Sequence, residues 1–332
     1  MTLTSTLQDW FLVHQRALPF RTTRDPYRIW ISEIMAQQTQ IDTMLPYYAR
    51  WMAKWPTLES LALAQDDELL KAWEGLGYYT RVRNIAKAAR LLHAQQRPFP
   101  STEETIAQLP GIGPYTAAAI ASICFEEKAV AIDGNVFRVV SRVNGLSAPL
   151  GSSVLKAEVK AAMTEWMASA TPSIFTQAMM ELGALICTPK KPQCSVCPLK
   201  AYCTAFAQNK VLDYPVKTAT KKSPVHVKLI AIYRNASGQI ALTDQHEDTL
   251  LKGFYRLPEI AELPESAKPV GNAKHVFSHR VWEMTFVVIE DGSQPYRYVD
   301  PITLDHLPVI TAHRRFLAQF TTKTVSSTGS VY

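Results

Sequence analysis

Apolar residues recur three and four apart from Leu3 to about Ala207, with capping residues ahead of the runs, and this predicts an almost wholly helical first part. Ile29, Trp30, Ile34, Met35, Ile41, Met44 and Leu45 mark one predicted helix that ends before Pro46. Leu69 and Trp73 lead into the turn Gly75-Leu76-Gly77-Tyr78-Tyr79, Val154 to Met167 is amphipathic, and Phe175 to Leu185 runs into a group of cysteines. Residues 209–224 carry no period, and Lys217, Lys221 and Lys222 stand there among Thr, Ser and Pro, which reads as a linker. Beyond it Val225, Val227, Leu229 and Ala231 alternate with other residues, Asn235-Ala236-Ser237-Gly238 supplies a turn, and Ile240 and Leu242 resume the alternation, as in a β-hairpin. Val281 to Ile289 predicts a further strand and Ala312 to Phe320 a helix, so 225–320 reads as a small α+β domain. The polar tail 321–332 reads as disordered, and no internal repeat is present.

Composition narrows this picture without deciding it. A chain of 332 residues exceeds one comfortable core, so two domains are expected, and 47% hydrophobic residues suit packed globular structure. A net charge of +6 and a pI near 9.0 permit nucleic-acid binding and do not require it. Met1-Thr2-Leu3-Thr4 lacks the basic start of a signal peptide, Gln8 and Asp9 interrupt Leu7 to Val13, and no apolar run approaches the roughly 20 residues of a membrane span. The expectation is a soluble, intracellular protein, cytoplasmic and nucleoid-associated if prokaryotic, with no membrane partner. Five cysteines, four of them in one short segment, suit metal ligation in a reducing compartment better than a disulfide framework.

Four groups of residues carry candidate chemistry. In Leu109-Pro110-Gly111-Ile112-Gly113-Pro114-Tyr115-Thr116 two glycines flank one apolar residue, a tight turn whose N–H groups can converge on a phosphate, with helical patterns on both sides. After an apolar run comes Val130-Ala131-Ile132-Asp133-Gly134-Asn135, where Asp133 fits a helix N-cap and a site carboxylate equally well. Cys187, Cys194, Cys197 and Cys203 are spaced C-x6-C-x2-C-x5-C, four soft ligands for zinc or iron–sulfur; the single short spacing leans towards a cluster and spacing alone does not settle it. Lys190, Lys191 and Lys200 nearby read as solvated or phosphate-facing, and Cys124 in Ala117 to Phe125 as core. Glu33 stands among apolar neighbours on a predicted helix: either an ordinary surface glutamate or, if buried, a carboxyl whose proton affinity is raised to that of a general acid.

From about Leu7 to Phe320 the chain resembles the helix-hairpin-helix, iron–sulfur DNA glycosylases. The run Ser32-Glu33-Ile34-Met35-Ala36-Gln37-Gln38-Thr39-Gln40 resembles the signature of their adenine-specific, MutY-type branch rather than that of the thymine-glycol lyases. The resemblance implies a multidomain fold: an all-α helix-hairpin-helix glycosylase domain with an iron–sulfur cluster loop over 1–208, followed by a small α+β, Nudix-like domain. Within the first, a six-helix barrel takes about 22–132 and the cluster module about 1–21 plus 133–208. It implies a monofunctional adenine DNA glycosylase that hydrolyses the N-glycosidic bond of adenine opposite 8-oxoguanine or guanine in base excision repair.

The roles it implies are as follows. Glu33 would protonate adenine at N7, Asp133 would stabilise the oxocarbenium-like sugar, and Asn135 would hold that carboxylate. Tyr115 would stand where bifunctional relatives place a lysine, which argues against an efficient lyase step. Gly111, Gly113, Gln38 and Tyr78 would contact DNA, the last two inserting near the lesion; Phe20, Arg21 and Gln177 would shape the adenine pocket. Cys187, Cys194, Cys197 and Cys203 would hold a 4Fe–4S cluster, and Phe277, Ser278 and His279 would read 8-oxoguanine. The implied partner is double-stranded DNA containing A:8-oxoguanine or A:G, bound by a monomer. Glu259, Glu262 and Glu265 suggest a magnesium hydrolase, but Pro258, Pro264 and Pro269 break the helix it needs and no R-E-x-x-E-E run is present, so recognition without hydrolysis is expected. The alternatives are a bifunctional glycosylase/lyase for oxidised pyrimidines and a non-catalytic DNA-binding protein.

Overall fold

The structure, a computed structural model, describes residues 1–217, 223–245, 253–277, 280–314 and 316–318, without the side chains of residues 305 and 306. It divides into two compact units, Met1–Leu63 with Asn84–Ala219, and Ala64–Arg83 with Thr220–Tyr332. Helices are α1 (Leu3–His14), α2 (Pro26–Ala36), α3 (Ile41–Lys54), α4 (Leu58–Ala62), α5 (Asp66–Trp73), α6 (Thr80–Ala94), α7 (Glu103–Ile106), α8 (Pro114–Phe125), α9 (Gly134–Asn144), α10 (Ser153–Ala168), α11 (Pro172–Leu185) and α12 (Thr204–Ala207). Of these, α5 and the turn after it belong to the second unit, and α6 begins there.

Local chemistry sets these boundaries. Asp25 caps α2 by accepting from the Tyr27 N–H, with Pro26 in the first turn where its missing donor costs nothing, and Ser152 caps α10 through the Leu155 N–H. The single helix expected over 29–45 is two. The polar run Gln37 to Gln40 interrupts it, and Gln38 turns left-handed at φ +56°. Pro46, expected to stop that helix, lies inside α3, where it removes one backbone hydrogen bond.

Fully buried Ala117, Ala118, Ala119 and Ala121 keep α8 narrow, so that α2 and α11 pack closely on it. In turn α11 also packs on α1 and α9, and Leu7, Phe11, Val136, Val140, Met163, Phe175 and Met179 fill the core between them. The stretch expected as linker begins fastened to this unit: the Leu150 N–H donates to Val216 O at 2.8 Å and Arg142 Nε to Tyr214 O at 3.1 Å.

In the second unit β1 (Val225–Arg234), β2 (Ile240–Leu242), β3 (Glu259–Ile260), β4 (Lys268–Val276), β5 (Val281–Glu290) and β6 (Arg297–Val299) form one sheet ordered β4-β5-β1-β2-β6, with β3 beside β1. The expected hairpin is β1 and β2, joined antiparallel with Arg234 opposite Ile240. Parallel pairing of β1 with β5, from Val225↔Val281 to Arg234↔Glu290, sets the centre of the sheet. The alternation read in β1 does not extend through it, because Ile230 to Tyr233 are buried one after another, as in a parallel strand covered on both faces. Residues 311–314 and 316–318 are helical, Glu259 lies in strand β3 and pairs with Lys228 at 2.7 Å, and the tail 321–332 lies outside the described residues.

The two hairpin glycines differ physically. Gly111 holds φ +75° and a Cβ there would meet Asn84 Cβ at 2.4 Å, whereas Gly113 has an ordinary φ of −86° and open space around its Cα. Gly111→Ala is therefore expected to cost about 1–3 kcal/mol. Gly113→Ala should leave the denaturant midpoint nearly unchanged; equal losses in the two variants would contradict this account.

Candidate active site

Three helices bring the carboxyl groups together. Glu33 leaves α2 between buried Ser32 and Ile34, Tyr115 stands in the first turn of α8 directly after the hairpin, and Asp133 caps α9. All three line one cleft of about 840 Å³, with Ser32, Gln37, Ile132, Asn135 and Met180. Tyr115 Oη donates to Glu33 Oε2 at 2.7 Å and lies 3.9 Å from Met180 Sδ. Burial pushes the Glu33 carboxyl up to about 7, the Asp133 charge adding to this and the Tyr115 hydrogen bond opposing it. Burial and the two carboxylates raise the Tyr115 phenol well above its ordinary value, so it remains a donor.

Asp133 both caps α9 and lines the cleft. Its Oδ1 accepts from the Val136 N–H at 2.7 Å, the N-cap bond, while Oδ2 accepts from Asn135 Nδ2 at 2.8 Å. Asn135 Oδ1 in turn accepts from Arg138 Nη2 at 2.8 Å. Arg138 also donates to the carbonyls of Gly183 and Cys187, each at 2.7 Å. Gly183 is needed there, since a Cβ would stand 2.5 Å from that of Asn135.

Glu181 is a residue the sequence reading missed. Fully buried on α11, it accepts from the Arg16 N–H (2.9 Å), Arg16 Nε (3.0 Å) and Nη2 (2.7 Å), and from Arg21 Nη1 (2.7 Å) and Nη2 (2.6 Å). Those bonds outweigh burial and hold its carboxyl down at about 2. One acidic residue inside the apolar run Ile174 to Leu185 was the available signal.

Other expected site residues are placed as follows. Phe20 and Arg21 line the cleft; Phe20 meets Tyr48 edge-on at 5.6 Å and Arg21 lies over Phe11 at 5.2 Å. Gln38, left-handed and exposed, lies at the same cleft. Gln177 does not line it, and its Nε2 donates to Ser173 O one turn earlier at 3.0 Å. Tyr78 belongs to the second unit, where it holds φ +48° between Gly77 at +70° and Tyr79. Phe277 follows β4, meets His275 and Trp282 edge-on at 4.6 and 4.8 Å, and lies under Arg280; Ser278 and His279 fall outside the described residues.

The four cysteines line one small cavity with Val139, Leu182 and Leu199. Among the described residues no group of three or more His, Cys, Asp or Glu is arranged to hold a single metal ion. Four thiols around one cavity are the ligand set of an iron–sulfur cluster. Burial pushes the Cys197 thiol up to about 12, so ligation must deprotonate it. Nearly fully buried Arg142 donates to Cys187 Sγ at 3.3 Å and to the carbonyls of Thr188 (2.8 Å) and Pro189 (3.2 Å), fixing the start of the loop beside a positive charge. The donor set fits the group.

Comparison with known proteins identifies the family. A family model described as HhH-GPD superfamily base excision DNA repair protein matches residues 31–169, and one described as iron-sulfur binding domain of endonuclease III matches 187–203. The loop from Cys187 to Cys203 is thus a 4Fe–4S binding loop. An adenine DNA glycosylase of Arabidopsis thaliana is 35% identical over 294 residues, 76% of this chain and 46% of that protein. One of Buchnera aphidicola subsp. Acyrthosiphon pisum is 33% identical over 264 residues, 78% of this chain and 74% of that protein. A solved structure of a thermostable thymine-DNA glycosylase superposes with a TM-score of 0.54 at 26% identity, covering 62% of this chain and 95% of that one. The chain thus spans less than half the length of the Arabidopsis relative.

Breaking a buried ion cluster on one side leaves uncompensated charge, and Glu181→Gln is expected to cost about 3–5 kcal/mol, mostly through Arg21, since Arg16 is a third exposed. A carboxyl depressed in the folded state stabilises above its unfolded value of about 4.5, and that contribution is lost as the pH falls towards about 2. Denaturant midpoints between those pH values should fall less steeply for Glu181→Gln; parallel curves would show that the clamp adds nothing.

Proposed function

The chain belongs to the adenine DNA glycosylase family, and on that premise we propose that it hydrolyses the N-glycosidic bond of adenine mispaired with 8-oxoguanine or guanine. The observation that carries the reading is the Glu33 carboxyl held by Tyr115 in the same cleft as Asp133, where burial pushes it up to about 7. A carboxyl that keeps its proton up to about pH 7 can donate it to N7 of an extruded adenine, which then departs as the bond to the sugar C1′ breaks. Positive charge left on the sugar faces Asp133, whose two oxygens are fixed by Val136 and Asn135, so its stabilisation needs no rearrangement. Water adds at C1′, and the Glu33 carboxylate takes up its proton, which restores the acid.

Tyr115 supports the hydrolytic branch. A phenol that remains protonated and donates to Glu33 is a poor nucleophile, and among the described residues no lysine lines the cleft. This favours hydrolysis over the bifunctional reading. Phe20 and Arg21 would border the base, and Gln177 would have to release Ser173 O to reach it.

Double-stranded DNA bound by a monomer is the proposed partner and state. The turn at Gly111 and Gly113 opens the N-terminus of the twelve-residue α8, where backbone N–H groups and the helix dipole attract a phosphate. Gln38 and Tyr78 would each insert into the duplex near the lesion. The 4Fe–4S cluster, held by Cys187, Cys194, Cys197 and Cys203, would supply a redox-active group and a rigid crosslink of the loop. The sheet of the second unit is proposed as a Nudix-like reader in which Phe277, Ser278 and His279 meet the base opposite adenine; Phe277, packed between His275, Trp282 and Arg280, has the rigidity of a wedge.

Two outcomes are expected. Glu33→Gln should lower single-turnover adenine release at least 100-fold, and the wild-type rate should fall about tenfold per pH unit above 7, a limb the variant lacks; equal release by both proteins would remove Glu33 as the acid. Phe277→Ala and Ser278→Ala should lower the preference for 8-oxoguanine over guanine opposite adenine more than they lower excision itself, measured on duplexes differing only at that base.

A further inference from the structure

The segment Ala64–Arg83 lies between helices of the first unit in sequence, yet it folds with the C-terminal residues, and it carries Tyr78. A tyrosine at φ +48° costs about 1–2 kcal/mol and persists only where its surroundings fix it. Part of that restraint is local. Trp73 Nε1 donates to Gly77 O at 3.1 Å, and Arg81 Nη2 donates to Leu76 O at 3.0 Å and Gly77 O at 3.2 Å, with its guanidinium over the rings of Trp73 and Tyr78 at 5.2 and 5.6 Å.

The rest comes from the C-terminal residues of the same unit. Tyr79, only 5% exposed, packs its ring on fully buried Phe254 with centroids 3.8 Å apart, and its hydroxyl meets Thr311 Oγ1 at 3.3 Å. Glu74 is paired with Arg314, and a Cβ at Gly253, itself at φ +86°, would already be 3.4 Å from Arg83 Nη2 and 3.6 Å from Leu70 Cδ1. Contacts therefore run along the whole segment, before and after Tyr78.

We propose that Phe254, Thr311 and Arg314 are positioning residues for Tyr78: through Tyr79 and Glu74 they set the left-handed turn, so that the C-terminal unit fixes how Tyr78 stacks beside the base opposite adenine. This rests on the proposed function, in which Tyr78 inserts into the duplex. The link places the wedge and the reader of the opposite base in one compact unit, and either can then transmit a misfit to the other. It assigns to Phe254 and Arg314 a share in discrimination although neither need touch DNA.

A double-mutant cycle in the full-length protein tests it. The readout is the ratio of single-turnover adenine release opposite 8-oxoguanine to release opposite guanine. Tyr78→Ala should lower that ratio about tenfold, as loss of one stacked ring implies. Phe254→Leu and Arg314→Gln should each lower it severalfold when Tyr78 is present and by less than twofold when Tyr78 is already Ala, because they act through it. Additive losses, or an unchanged ratio in both single variants, would overturn the link while leaving the wedge intact. A Tyr78→Ala protein with full discrimination would overturn the wedge reading and the link with it. Should Phe254→Leu fail to fold, Arg314→Gln, on a partly exposed pair, gives the same cycle.

Discussion

A carboxyl group keeps its proton near pH 7 only where water is scarce and no cation is close, and the cleft is organised around that constraint at Glu33. Burial among Ser32, Ile34 and the ring of Tyr115 supplies the desolvation, and Asp133 supplies a like charge. Tyr115 works against both, because a donated hydrogen bond favours the carboxylate; burial wins, and the phenol orients the acid. Asp133 is held differently: a backbone N–H and the Asn135 amide both donate to it. Two carboxyls in one cleft are thus given different surroundings, one desolvated beside a phenol and one fixed by two N–H donors.

That arrangement depends on α11, which does three jobs within four residues. Met180 touches the Tyr115 hydroxyl, Glu181 anchors Arg16 and Arg21 on the cleft wall, and Gly183 leaves room for Asn135. Because α11 also packs on α1, α8 and α9, the cleft is fixed by the core rather than by loops. Arg138 and Arg142 carry the same rigidity to the cysteine loop by donating to the carbonyls of Cys187, Thr188 and Pro189. The cluster loop and the start of α9 are therefore parts of one hydrogen-bonded body.

Helical period, capping residues and cysteine spacing were legible because each is a local property of the chain. The N-cap reading of Asp133 was legible too; the cap uses one oxygen, and the second accepts from Asn135. What was not legible depended on distant partners. Gln37 to Gln40 read as one polar turn of a continuing helix, but the chain breaks there, and Pro46 is tolerated because α3 loses a single bond. Glu181 carried only the weak signal of an acid in an apolar run; its two arginines lie about 160 residues away in sequence. Nor could period reveal that residues 64–83 fold with the C-terminal residues, because their apolar spacing is the same whichever surface covers them.

Backbone strain separates two kinds of position in the proposed DNA-contacting set. At Gly111 the left-handed turn is met by glycine, and Asn84 fills the space a side chain would need, so that position contributes shape alone. Gln38 and Tyr78 adopt similar torsions at φ +56° and +48° with full side chains, at a cost glycine would remove. The turn itself therefore does not explain them. Both residues are at least partly exposed, and the Tyr78 ring is held under the Arg81 guanidinium at 5.6 Å. On the proposed function the side chain at these two turns, rather than the bend, is what meets DNA.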